Sequence, residues 1–154
     1  MPRLALVPLR LASLLLLGCG SNGGVFGSSV DGTVEAAVDD GEDIQAKWHV
    51  SPNACYSGER AQFFGVDLTH DDDQETLVRI AQDPIEGFRV GTNVPGEDIA
   101  IFVQQSDGCD TFDVEVVRTN TRVNNIWAVE GHAVVDCELP GLSFHVDVNF
   151  SGCH

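Results

Sequence analysis

From Val30 onward, apolar and polar residues exchange places at every second position, and Gly, Pro, Asn and Asp separate the runs. That is the signature of strands with one face buried. In the first run Val30, Val34 and Ala36 share one side, and Asp31, Thr33 and Glu35 the other. In the second, Ile44, Ala46, Trp48 and Val50 alternate with Gln45, Lys47 and His49. Gln62, Phe64, Val66 and Leu68 mark a third, Thr76 to Ala81 a fourth, Phe88 to Val90 a short fifth, and Ile99, Ile101 and Val103 a sixth. Phe112, Val114 and Val116 follow, then Trp127, Val129, Gly131, Ala133 and Val135, and last Leu142, Phe144, Val146, Val148 and Phe150. No stretch keeps a 3.6-residue period long enough for a helix. The pattern predicts one all-β domain over residues 30–154, an antiparallel β-sandwich of about seven to nine strands, either immunoglobulin-like or Greek-key and jelly-roll-like. The Cys and Trp spacing of antibody domains is absent.

Residues 1–18 do not follow this pattern. Arg3 and Arg10 flank an apolar run from Leu11 to Leu17 that only Ser13 interrupts. The run is too short to cross a bilayer, which takes about 20 apolar residues, and reads as a processed signal peptide. Its exit, Leu16–Leu17–Gly18–Cys19, resembles the lipobox of bacterial lipoprotein precursors, although that family more often has Ala or Ser where Leu17 stands. The resemblance covers only about the first twenty residues and does not reach the body. It implies cleavage before Cys19, a diacylglycerol thioether on Cys19 and an acylated Cys19 amine, giving stable anchoring by two or more chains. Residues 19–29 then form a lipidated tether, rich in Gly and Ser and hence flexible. The membrane becomes a partner through that anchor, and the domain lies outside the cytoplasm in the cell envelope. Gly20 stands where an inner-membrane retention signal of enteric bacteria has Asp, which favours the outer membrane.

Two of the eight basic residues leave with the leader, so the charge balance goes from −16 to −18. An acidic body of this kind repels nucleic acid and anionic surfaces as a whole. Of the five cysteines, Cys19 is reserved for lipid, and the remaining four suggest two disulfides in an oxidising compartment. Cys109 and Cys137 are two strands apart and so lie at one end of the sandwich. Cys153 lies a strand further on, at the other end, about 11 residues of extended chain from Cys137 and beyond disulfide reach. The expected pairs are therefore Cys109–Cys137 and Cys55–Cys153.

One polar constellation stands out. If residues 138–141 form the last hairpin loop, His132 faces Asp147, Glu130 faces Asn149, and His145 faces Val134. His132, His145, Asp147 and Glu130 then share an outer face, with Glu115 or Asp113 beside Glu130. Two imidazoles and two carboxylates could hold Zn²⁺ or Cu²⁺; the alternative is a solvated polar face. His70–Asp71–Asp72–Asp73 with Glu75 is oxygen-rich but lacks the Gly and Glu spacing of a calcium loop, and reads as a charged hairpin tip. No nucleophile elbow, HExxH zinc motif, phosphate loop or dinucleotide fingerprint occurs. The expected function is a non-enzymatic binding or envelope-interaction module with a protein or small-molecule partner and no resident cofactor. A metal-binding lipoprotein and a hydrolase whose site forms only in three dimensions are the alternatives.

Overall fold

The computed structural model describes residues 27–39, 41, 45–70, 75–97 and 100–154. The leader, Cys19, most of the tether and the acidic segment 71–74 lie outside the described residues. Ten strands are present among the described residues: β1 Ser29–Asp39, β2 Gln45–Val50, β3 Ala54–Ser57, β4 Gly65–Thr69, β5 Thr76–Asp83, β6 Gly87–Asn93, β7 Ala100–Gln104, β8 Thr111–Val123, β9 Ile126–Leu139 and β10 Leu142–Cys153. They form two five-stranded antiparallel sheets, ordered β2-β1-β10-β9-β8 and β3-β4-β5-β6-β7. The chain is an all-β sandwich, as its alternation predicts.

Period-two patterning does the sorting. On β10, Phe144, Val146, Val148 and Phe150 are buried, while Ser143, His145, Asp147 and Asn149 face outward. Val34 and Ala36 of β1, Ala133 and Val135 of β9, and Leu68, Val78, Ile80, Val90 and Val103 of the second sheet complete the core. Each fully buried side chain of this size contributes about 1.5–3 kcal/mol relative to exposure.

The sheets lie crosswise. Strand β3 passes over β1, β9 and β10, and Cys55 on β3 is bonded to Cys153 at the end of β10. At the other edge of the second sheet, Gln104 ends β7 beside Cys109, whose Sγ lies 3.9 Å from the Gln104 carbonyl oxygen. Cys109 is bonded to Cys137, far along β9. The second sheet thus spans the first from one end to the other, the arrangement of orthogonally packed sheets. Both expected disulfides are present, one at each end.

Three local readings are corrected. Strand β3 follows Pro52–Asn53, where no strand is expected, and the third run, expected from Gln62, begins only at Gly65, because residues 58–61 form a 3₁₀ turn capped by Gln62. Asn120, Asn124 and Asn125 read as one loop in the sequence, but Asn120 lies inside β8, and the β8–β9 turn is the pair Asn124–Asn125, both with positive φ (50° and 68°), as a tight hairpin turn requires. The β9–β10 loop is only Pro140–Gly141: Leu139 pairs with Leu142, so paired residue numbers sum to 281 and not 279. Pro followed by Gly at φ 78° suits a type II turn, and Leu139 stays in the strand because it packs on the core.

Candidate functional site

The two-residue register shift rearranges the outer face of the first sheet. His145 faces Asp136 rather than Val134, and His132 faces Asn149 on one side and Glu115 on the other. Asp147 faces Val134 and Thr33, and Glu130 faces Val117. The four residues expected to share a metal are therefore not assembled as a set. A slip of two preserves which residues point outward, so the hydrophobic pattern could not exclude it.

The shift builds separate imidazole–carboxylate groupings instead. His145 Nδ1 lies 2.9 Å from Asp136 Oδ1, and its Nε2 lies 3.1 Å from Glu138 Oε1. Ser143 Oγ joins this group, donating to Glu138 Oε1 at 2.8 Å and lying 3.0 Å from His145 Nε2. His132 Nε2 lies 3.4 Å from Asp113 Oδ2, and His49 Nδ1 lies 3.5 Å from Glu35 Oε1. A metal needs donors converging on one point, whereas the two nitrogens of His145 turn toward different carboxylates. Among the described residues no group of three or more His, Cys, Asp or Glu side chains is arranged to hold a metal ion. These pairs are largely solvated, and exposed pairs of this kind contribute about 0–1 kcal/mol each.

Concavity lies elsewhere. Where the two sheets part beside β2, a cleft of about 610 Å³ opens between Trp48 and Val50 on one side and Leu77, Thr92 and Val94 on the other. Glu75 and Glu97 also line it, and among the described residues no basic side chain does. The Trp48 indole N–H is buried without a hydrogen-bond partner. An unpaired buried donor costs about 1–3 kcal/mol. Thr92 Oγ1 is committed, donating to the Leu77 carbonyl at 2.7 Å. The cleft thus combines an apolar wall with a negative lining. The sequence places Trp48 on the apolar side of β2, but not at an opening between sheets.

The arginines form a second feature that the linear pattern hides. Each of the five in the body lies over an aromatic ring: Arg60 over Tyr56, Arg79 over Phe63, Arg89 over Phe102, and Arg118 and Arg122 over Trp127. Arg79 also makes a two-pronged contact to Asp67 at 2.7 and 2.9 Å, which raises its pKa further. On the β5–β6 turn, Asp83 accepts backbone N–H bonds from Ile85 and Glu86, and these hold its carboxyl below the ordinary carboxylate range.

Comparison with family models, curated proteins and solved structures finds no match to this chain.

Proposed function

We propose that the chain is a lipid-anchored, extracytoplasmic, non-enzymatic binding module, held by acylated Cys19, whose cleft beside Trp48 takes a small amphipathic cation. The observation that carries this reading is the cleft itself. It has the size of a small-molecule site, an apolar wall, and two carboxylates with no basic side chain among the described residues that line it. The two disulfides suit an oxidising compartment. The anchor side of the reading rests on the leader, and the outer membrane is its favoured address.

The test uses the mature acylated chain carrying Trp127→Phe, so that Trp48 alone reports. Titration with 4-phenylbutylammonium is expected to shift Trp48 emission saturably. Glu75→Gln with Glu97→Gln should weaken the response about tenfold or more. No saturable shift, or an unchanged affinity in the double variant, would remove the cleft from the proposal. Fractionation of Cys19→Ser tests the address independently: the variant should leave the membrane fraction.

A further inference from the structure

We infer that the end of the sandwich from which the tether emerges is a membrane-docking surface, resting on anionic lipid headgroups through Arg60, Arg118 and Arg122. The inference depends on the Cys19 anchor proposed above.

Its first support is where the tether enters. Ser29 opens β1 opposite Ser151, near the end of β10, and their hydroxyl oxygens lie 2.8 Å apart. Gly27 lines a recess together with Thr119, Thr121 and Val123 of the β8–β9 hairpin. Gly27 is eight positions beyond Cys19, a length that reaches at most about 29 Å when fully extended. An acylated Cys19 therefore keeps this hairpin close to the bilayer.

The second support is charge. Only six basic residues follow the leader, and three of them gather at this end. Arg118 and Arg122 lie 6.0 and 5.3 Å from the Trp127 ring centroid, and Arg60 lies 4.6 Å from that of Tyr56. The Trp127 backbone N–H donates to Glu59 Oε2 at 2.7 Å, joining the 3₁₀ turn that bears Arg60 to the hairpin that bears the other two. All three arginines are exposed. Among the described residues, the acids near this end include Glu59, engaged with that N–H, Glu130 in the tether recess, and Asp31, two residues into β1 from Ser29. The other three basic residues of the body are Lys47, Arg79 and Arg89, so half of its positive charge is at this end while the chain carries 24 acids in all.

Screening makes this distribution decisive. At physiological ionic strength charges interact over only about 8 Å, so an anionic bilayer responds to the end that faces it and not to the total of −18. The acidic faces are repelled and the arginine end is attracted, each basic residue near such a surface strengthening contact about fivefold. Trp127 and Tyr56 are residues of the kind enriched at the bilayer–water boundary.

The chain contains its own reporters. Trp48 pairs with Ala36, which pairs with Phe144, which pairs with Cys137. Cys137 is ten residues along β9 from Trp127, about 33 Å, so the two tryptophans lie at opposite ends of the first sheet. The mature acylated chain is reconstituted into vesicles of phosphatidylglycerol and dibrominated phosphatidylcholine, as Trp48→Phe and as Trp127→Phe. Trp127 should lose about half of its emission or more, and Trp48 little. Replacing phosphatidylglycerol by phosphatidylcholine should reduce Trp127 quenching about threefold or more, as should Arg60→Gln, Arg118→Gln and Arg122→Gln combined. The lipid exchange leaves the chain unaltered, so it tests the charge dependence even if the triple variant misfolds. An acylated chain with Trp127 unquenched, with both tryptophans quenched alike, or with equal quenching on neutral lipid overturns the docking surface and leaves the anchor standing. A mature chain lacking the acyl mass overturns the anchor, and the docking with it.

Discussion

Replacing Cys55 and Cys153 together by alanine is expected to lower the unfolding free energy by about 4.7 kcal/mol, the value for a closed loop near 100 residues. The two cysteines are 98 positions apart, so their bond closes most of the body in the unfolded chain. Cys109 and Cys137 are 28 apart, and the same relation gives about 3.6 kcal/mol for their removal. Alanine suits the first pair because both cysteines are buried, and a serine there would add an unsatisfied hydroxyl. Urea unfolding followed by far-UV circular dichroism should rank the two double variants in that order, with Tm falling by roughly 15 °C for the longer loop. A larger loss on breaking Cys109–Cys137 would show that loop entropy is not the governing term. The longer bond also has a structural role: it fixes β3 across the tether end of the first sheet. Its loss should free the 3₁₀ turn that carries Arg60.

The disulfides were legible because strands reverse direction at each turn, so counting strands assigns a cysteine to an end. That count tolerated an error elsewhere. Strand β3 is only four residues long, between Pro52–Asn53 and the Gly58 turn, and offers too little alternation to be seen. Phe63 and Phe64 look like strand residues beside Val66 and Leu68, but Gln62 adopts a left-handed conformation at φ 64° and closes the 3₁₀ turn. The histidine face was legible as a face and not as a set of contacts. Alternation specifies which side His132, His145 and Asp147 occupy, and a slip of two leaves that side unchanged. The Pro140–Gly141 pair held the missing information, since a type II turn shortens the loop to two residues. The cleft beside Trp48 and the arginine end were not legible, because both depend on how two crossed sheets meet.

Gly131→Ala is expected to cost about 3–5 kcal/mol, combining backbone strain with a steric overlap. Gly131 lies within β9 between Val116 of β8 and Phe150 of β10. Read along the sequence it is one more small residue on the core side of a long strand. Its φ of 158° is in the range that side chains rarely adopt. An added Cβ would overlap the backbone carbonyl oxygen of Glu115 and stand 3.1 Å from the Phe150 ring. A side chain could swing away, whereas that oxygen belongs to a β8 backbone held in register with β9, so β8 and β9 would have to separate. Gly108 is the control. Its φ is 83°, but nothing lies within 4 Å of its added Cβ, so Gly108→Ala should lose only about 1–2 kcal/mol from conformation. A larger loss at Gly131 than at Gly108 is the expected mark of the close approach, and equal losses would show that the Glu115 contact has little weight. Gly131 is also the last regular rung before the β9–β10 ladder shifts register toward the tether end, and the β8–β9 ladder shifts two rungs further on, after Arg118 and Val129. Beyond it lie Arg118, Arg122 and Trp127. In Gly131→Ala, backbone amide exchange should therefore accelerate first at Trp127 and Val129, and quenching of Trp127 by brominated lipid should weaken with it. The same close contact would then govern both the stability of the hairpin and the surface it turns toward the membrane.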